Sequence, residues 1–150
     1  MKLYRAVSYF DGQLRQKNNY VNFPRKPRDT ETELHKIVDN WFYKKFGIYA
    51  RSRTIFCTPS KKEASKYLCN GGRLIEIEIP EDEPYKIIFS LKVMDLFSET
   101  RYLAEPFIQN DVESLLESFD YQVSENANAV PSYFSGEIML SLNEFNAREV

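Results

Sequence analysis

The sequence contains few of the residues from which metal sites and disulfide scaffolds are built. Its 150 residues include one histidine and two cysteines, Cys57 and Cys69. These cysteines show no metal-ligand spacing, and two cysteines are too few for a disulfide framework. We therefore expect no metal cofactor and two free thiols, as is usual for proteins of the reducing cytoplasm.

Long apolar runs and a strong net charge are also lacking. No apolar run is long enough for a membrane-spanning helix or for the apolar core of a signal peptide. The formal net charge of -2 gives the chain no overall attraction to nucleic acids or acidic membranes. The sequence therefore predicts a cytoplasmic protein without a membrane partner.

Aromatic residues, by contrast, are abundant. The chain has 11 Phe and 10 Tyr, and 43% of its residues are hydrophobic. Disordered chains lack such a composition, because they cannot bury enough apolar surface to offset the entropy of folding. We expect a single domain of residues 1–150, large enough to bury roughly 68–70% of its unfolded surface.

The segment of residues 47–60 organises the predicted elements. Gly47 is suited to end a helix in the left-handed conformation. Residues 54–58 are β-branched, aromatic or apolar and predict a buried strand, which Pro59 ends. Ser60, with Glu63 three residues later, predicts a capping box for a new helix. Hydroxyls, backbone N–H groups and a positive helix end thus meet at one point, which favours a phosphate.

Periodicity and turn residues predict the other elements. Helices are expected over residues 30–46, 60–69, 93–103 and 111–119, and strands over residues 3–9, 73–79, 85–89, 136–142 and from 145 onward. Thr30 with Glu33, and Asp111, are the expected helix caps. The apolar stripe of the first helix consists of Leu34, Ile37, Val38, Trp41 and Phe42, so Trp41 is expected in the core. His35 lies off this stripe and is expected at the surface. Because strands and helices follow no regular βαβ alternation, the pattern favours an α+β fold.

Two features leave alternatives open. Arg5 shares a strand face with Leu3, so either that face is partly wet at a sheet edge or Arg5 points into a site. The connection of residues 11–28 mixes basic and aromatic side chains, as sites for single strands or phosphates do and as solvated loops also do.

Three separated motifs occur in a defined order. They are Tyr4-Arg5 in the first strand, FCTPS at the end of the central strand with SKKEASKY behind it, and a loop of small residues leading to Glu137 in SGEIML. This order, over residues 3–142, resembles the Arg–Ser–Glu type of the ADP-ribosyltransferase superfamily, specifically its compact single-domain members from bacteria and bacteriophages. The resemblance implies a split, mostly antiparallel β-sheet core with flanking helices.

The resemblance also implies roles for individual residues. Arg5 would bind NAD through a phosphate, and Glu137 would be the catalytic carboxylate. The family's strand-end hydroxyls brace that carboxylate and the nicotinamide ribose, and Thr58 and Ser60 match them here, with Pro59 in place of the middle residue. No metal is needed for this chemistry.

Other residues of the matched motifs would face the two substrates. Tyr67 would stack on nicotinamide or, alternatively, belong to the core. Tyr133 and Phe134 would face the acceptor or pin their loop to the core. The family often carries Gln or Glu two residues before the catalytic Glu, where it orients the acceptor, and this chain has Ser135 there.

The resemblance implies an NAD-dependent mono-ADP-ribosyltransferase that modifies a macromolecular acceptor, either a protein or a nucleic acid. Such a protein would be a bacterial or phage effector that acts in the cytoplasm, which is the host cytoplasm if a phage encodes it. Two alternatives remain open. Ser135 at the acceptor position favours an NAD glycohydrolase, and the altered Thr58-Pro59-Ser60 motif favours a non-catalytic binding or inhibitor protein on the same fold.

Overall fold

Eight strands and four helices make up the fold in the computed structural model, which describes residues 1–150. The strands are β1 Leu3–Val7, β2 Arg15–Lys17, β3 Ile55–Cys57, β4 Arg73–Glu78, β5 Lys86–Phe89, β6 Gln122–Ser124, β7 Ile138–Ser141 and β8 Glu144–Glu149. The helices are α1 Thr32–Phe46, α2 Lys61–Ser65, α3 Leu96–Thr100 and α4 Gln109–Ser118.

The strands form two four-stranded sheets, and every pairing is antiparallel. The first sheet has the order β1-β4-β8-β2, and the second has the order β3-β7-β5-β6. This arrangement confirms the mixture of helices and antiparallel strands that the sequence predicted.

Two hydrophobic cores lie on opposite faces of the second sheet. Along β5, Ile87 and Phe89 belong to the core between the sheets, whereas Ile88 belongs to the core that includes α1 and α4. β7 alternates in the same way, with Met139 in the helical core. Strands buried on both faces read as continuous apolar runs, as these two strands do. The molecule is therefore layered as sheet, sheet and helices.

One β-bridge joins the edges of the two sheets. Tyr4 of β1 and Thr58, which follows β3, exchange both backbone hydrogen bonds, at 2.8 and 3.0 Å. No further residue of these strands forms a bridge between the sheets. Since β1 and β3 are joined at this point alone, their edges part beside it and leave an opening.

Helix α1 buries the stripe that the sequence predicted. Leu34, Val38, Trp41 and Phe42 are buried at helical spacing, which confirms Trp41 as a core residue. Gly47 ends the helix in the left-handed conformation, with a φ of 73°. None of the four helices combines the length and the apolarity that crossing a bilayer requires.

Two of the predicted helix caps are wrong. α1 begins at Thr32, which leaves Thr30 one residue too early to cap it, and no side chain takes that role. α4 begins at Gln109, so Asp111 lies inside its first turn, where a negative charge favours the helix dipole. Half of the capping box predicted at Ser60 is formed. The hydroxyl of Ser60 accepts the third backbone N–H of α2 at 3.1 Å, whereas its own N–H donates to Thr58 rather than to Glu63.

The helix predicted over residues 60–69 is shorter than expected. After Ser65 the backbone hydrogen bonds reach back three residues instead of four, as when the N–H of Leu68 donates to the carbonyl of Ser65 at 3.1 Å. A turn with this bonding has about three residues rather than 3.6, so successive side chains rotate further around the axis. Tyr67 and Leu68 are exposed. The helix predicted over residues 93–103 is also shorter, and Asp95 caps it as α3.

The two cysteines are predicted to differ in reactivity. Both are free, but Cys57 is buried, and burial raises the pKa of its thiol to about 12, whereas Cys69 is exposed. Because the thiolate is the reactive form, brief alkylation of the native protein without reductant should modify Cys69 alone. Alkylation after denaturation should modify both, as measured by intact mass. A single adduct after denaturation would contradict the two free thiols.

Candidate functional site

A cleft lies where the edges of the two sheets part. Its first lobe has a volume of about 320 Å³ and is lined by β1, the end of β3, α2 and residues 135–137. A second lobe of about 310 Å³ continues toward the start of α1 and α3. The lobes share five lining residues, which are Arg28, Phe56, Tyr67, Asp95 and Glu137. They therefore form one continuous cleft.

Arg5 lies in the first lobe at the edge of the first sheet. Its neighbour on the same strand face, Leu3, is buried in the core between the sheets. Arg5 Nη1 donates to the carbonyl of Phe56 at 2.9 Å, across the gap between β1 and β3. The sequence left two alternatives for Arg5, a wet sheet edge or a site. Both hold, because β1 is an edge strand and Arg5 lines the cleft at that edge.

Glu137 lies immediately before β7 and forms an ion pair that the sequence did not predict. Its Oε1 accepts a hydrogen bond from Arg51 Nη1 at 2.6 Å. The two side chains are only 17% and 13% exposed, so solvent screens the pair weakly. Oε2 accepts no hydrogen bond from the protein. One oxygen of this carboxylate is thus fixed and the other remains for a ligand.

Aromatic rings and backbone carbonyls hold the arginines of the site in place. The guanidinium groups of Arg25 and Arg51 lie over the ring of Phe56, at 3.8 and 4.1 Å from its centroid. Arg25 also donates to the carbonyls of Arg51 and Thr54 at 2.7 and 2.8 Å. Burial lowers the pKa of Arg25 to about 10, so it remains charged at neutral pH.

Helix α1 fixes the segment that carries Arg51. Asp39 is buried, and its carboxylate accepts the backbone N–H groups of Arg51 and Ser52 and the hydroxyl of Ser52, at 2.9, 3.2 and 2.6 Å. Three hydrogen bonds satisfy the buried charge. The position of Arg51 beside Glu137 therefore depends on the packing of α1.

The hydroxyl of Thr58 braces the chain before Glu137 rather than its carboxylate. It donates to the carbonyl of Ser135 at 2.9 Å and accepts the N–H of Ser60 at 3.2 Å. Thr58 lines the first lobe, whereas Ser60 does not line either lobe, because its hydroxyl caps α2. The direct contact with the carboxylate that the resemblance implied is made by Arg51 instead.

The backbone of Glu137 is held from both sides. Its N–H donates to the carbonyl of Met94 at 2.7 Å. At Gly136, a Cβ would lie 2.7 Å from Phe134 Cζ and 3.1 Å from the carbonyl oxygen of Val93. Only glycine fits this close approach, which allows the chain to enter the cleft beside the loop that precedes α3.

The remaining predicted site residues divide between the cleft and other places. Tyr67 lines both lobes with 64% of its surface exposed, so it is not a core residue. Ser135 lines the first lobe. Tyr133 is 79% exposed but lies outside both lobes. Phe134 is buried against Phe89 and pins the loop to the core, which is the second of the two alternatives left open for it.

The sequence analysis did not predict several residues of the site, and Arg51 is the most important of them. Arg51 and Arg53 flank a serine in the turn before β3, and nothing in the sequence distinguishes one arginine from the other. The structure distinguishes them, because Arg53 donates to the carbonyl of Val21 whereas Arg51 donates to Glu137. His35, expected at the surface, is half-buried and lines the second lobe.

Charges of both signs converge in this cleft. The half-buried carboxylate of Glu137 pairs with Arg51, and the cleft is also lined by other guanidinium groups, from β1 and from the loop before α1, and by the carboxylates of Asp29, Glu63 and Asp95. Guanidinium groups bind phosphate oxygens, and a carboxylate stabilises positive charge that develops beside it. The arrangement therefore suits a ligand that carries phosphates next to a centre that becomes cationic.

Comparisons of the chain with protein-family models, curated proteins and solved structures gave no match. No group of three or more His, Cys, Asp and Glu side chains is arranged to hold a metal ion.

The pKa of His35 is predicted to lie below the ordinary histidine value of 6.5. Burial lowers the pKa, the charges of Arg51 and Arg25 lower it further, and Asp39 opposes them. The unfolded chain thus binds the proton more readily, so stability is complete above about pH 6.5 and falls as the pH drops through the folded-state pKa. As His35 is the only histidine, its imidazole proton resonance in an NMR titration gives the pKa directly. A value at or above 6.5 would contradict burial as the dominant influence on this pKa.

Proposed function

We propose that the protein is an NAD-dependent mono-ADP-ribosyltransferase with an ADP-ribosyltransferase-like arrangement of its two sheets. One observation carries this proposal. Arg5, Thr58 and Glu137, which the three sequence motifs singled out from distant parts of the chain, line the same lobe of one cleft. Backbone pairing brings them there, since Tyr4 bridges Thr58 and Cys57 pairs with Ile138.

The cleft has suitable size and chemistry for a dinucleotide. Each lobe alone reaches the lower end of the range of roughly 300–1,000 Å³ that ligand pockets occupy. Arg5 binds the pyrophosphate, for which the planar guanidinium fork is better suited than an ammonium group. The exposed ring of Tyr67 stacks on the nicotinamide.

In the proposed reaction, the bond between C1 of the nicotinamide ribose and the ring nitrogen of nicotinamide breaks. The electron pair leaves with neutral nicotinamide, and the ribose carbon becomes oxocarbenium-like, as in glycoside cleavage. The acceptor nucleophile then forms a bond to the same carbon and loses a proton. No oxidation or reduction takes place.

Glu137 stabilises the cationic ribose in this scheme. A carboxylate close to the reacting carbon offsets the developing positive charge, and its Oε2 accepts a hydrogen bond from a ribose hydroxyl. Arg51 is a positioning residue, because it holds Oε1 at 2.6 Å and so fixes the direction of the second oxygen. Thr58 and Gly136 fix the backbone that presents the carboxylate.

Labelled NAD tests the proposal most directly. The label is placed in the adenylate portion of NAD. Incubation with the protein and a bacterial lysate should then attach the labelled ADP-ribose to a macromolecule. NAD should also raise the melting temperature, since a ligand at about 100 times its dissociation constant adds roughly 2.7 kcal/mol of stability. The absence of both a labelled product and a thermal shift at millimolar NAD would reject the proposal and leave a non-catalytic protein.

An NAD glycohydrolase is the second candidate, and one observation favours it. Ser135, at the position where the family often orients its acceptor, has a short side chain whose hydroxyl contacts only the sulfur of Met94, at 4.0 Å. Such a side chain leaves room for water as the acceptor. Release of free ADP-ribose without labelled macromolecule would identify this activity.

Substitution Glu137→Gln is predicted to lower turnover of NAD by a factor on the order of 10²–10³, because it removes the charge that the oxocarbenium-like centre needs. The amide keeps the shape and one acceptor for Arg51, so NAD binding should persist. The loss of the ion pair should reduce the melting temperature. Steady-state release of nicotinamide and thermal melts with NAD measure the two effects.

Glu144→Gln is the matched control for this substitution. Glu144 also pairs with an arginine, Arg15, at 2.7 Å, but it lies outside the cleft. This variant should turn over NAD at the rate of the unmodified protein. If Glu137→Gln retains full turnover as well, Glu137 is not the catalytic carboxylate.

A further inference from the structure

Asp39 is a buried carboxylate in the middle of α1, and it lines neither lobe of the cleft. Burying a charge costs free energy, and the packing of an amphipathic helix does not require one. The side-chain hydrogen bonds of Asp39 all go to Arg51 and Ser52, in the turn before β3. The buried charge therefore serves that turn rather than the helix.

We propose that Asp39 is a positioning residue for the carboxylate of Glu137. It acts through the backbone of Arg51, whose guanidinium group fixes one oxygen of that carboxylate. The inference rests on the proposed cleavage of NAD for its effect on turnover. The placement of Glu137 by Asp39 does not depend on that activity.

The turn that carries Arg51 has no regular secondary structure to hold it. Residues 50–54 belong to neither a helix nor a strand. Oδ1 of Asp39 accepts the N–H groups of both Arg51 and Ser52, and Oδ2 accepts the hydroxyl of Ser52. One carboxylate of α1 thus binds two successive N–H groups of the turn.

Arg25 binds the carbonyl groups of the same two residues. Its Nη1 donates to the carbonyl of Arg51 at 2.7 Å, and its backbone N–H donates to the carbonyl of Ser52, also at 2.7 Å. The N–H groups of residues 51 and 52 are therefore held by an anion, and the carbonyl of Arg51 is held by a cation. Charge-assisted hydrogen bonds are stronger than neutral ones, so the backbone of Arg51 is fixed from both sides.

The side chain of Arg51 is restrained as well. Its guanidinium group lies over the ring of Phe56 at 4.1 Å, and its Nη1 contacts the sulfur of Met139 at 3.4 Å. The same Nη1 donates to Oε1 of Glu137 at 2.6 Å, and only 13% of the arginine side chain is exposed. A shift of the turn is consequently passed on to the carboxylate rather than absorbed by solvent.

This connection matters for the proposed reaction because the second oxygen of Glu137 has to meet the ribose. A misplacement of about 1 Å can lower the rate of a reaction by a factor on the order of 10². Asp39 itself touches no part of the cleft. Its removal should therefore lower kcat and leave the KM for NAD unchanged.

Steady-state release of nicotinamide tests the proposal. Asp39→Ala should lower kcat about tenfold or more. Asp39→Asn should restore most of the turnover, because the amide oxygen still accepts both N–H groups. Ser52→Ala releases Oδ2, lets the carboxylate turn away, and should lower kcat about threefold. It decides the question if Asp39→Ala does not fold, and full turnover in the variant that decides would overturn the proposal.

Two further comparisons exclude a general loss of stability. In the Arg51→Ala background, Asp39→Ala should lower kcat no further, because the connecting side chain is gone. Leu34→Ala is the matched control, since Leu34 is buried on the same helix and lines neither lobe. It should lower the melting temperature but leave kcat unchanged below that temperature. An undiminished effect in the Arg51→Ala background, or an equal loss of kcat in Leu34→Ala, would overturn the proposal.

Melting temperatures separate this inference from the proposed function, because they require no NAD. Glu137→Gln should lower the melting temperature by clearly less in the Asp39→Ala background than in the unmodified protein. If this coupling is found but NAD is neither bound nor cleaved, the transferase is wrong and the positioning of Glu137 remains. If NAD is cleaved but Asp39→Ala changes neither kcat nor the effect of Glu137→Gln, the inference is wrong and the transferase remains.

Discussion

The cleft depends on one backbone contact, the β-bridge between Tyr4 and Thr58. Both strands are short and lie at the edges of their sheets, so this pair of hydrogen bonds brings the two edges together once. Continuous pairing would have closed the gap, and no pairing would have left the edges free to slide apart. The bridge therefore sets the separation at which Arg5 reaches the carbonyl of Phe56.

Concentrating positive charge at this gap requires specific restraints. The guanidinium groups of Arg5, Arg25 and Arg51 are held by carbonyl oxygens, by the ring of Phe56 and by a single carboxylate. Carbonyls and ring faces offset the charge without adding a counterion that would block the cleft. Three guanidinium groups in fixed positions are the result, while Arg28 is exposed in the same cleft.

The sequence predicted most of the elements but not the contacts between them. Apolar spacing identified α1 and the strands, and Gly47 and Ser60 marked helix ends correctly, because these signals are local. Thr30 and Asp111 failed as caps, because the helices begin at Thr32 and Gln109. The partnership of Arg51 with Glu137 joins residues 86 positions apart, and local patterns carry no information on such pairs.

Trp41, the only tryptophan, lies in one of the two cores. Its ring packs edge-on against Phe42 in the helical layer, and its indole N–H donates to Glu117 at 3.1 Å. Intrinsic fluorescence therefore monitors the helical layer, while the sheet that carries Arg5 is spectroscopically silent at this wavelength. Amide exchange in β1 and β4 observes that sheet separately. Coincidence of the two signals during unfolding is thus a direct measure of whether the second sheet couples both cores into one cooperative unit.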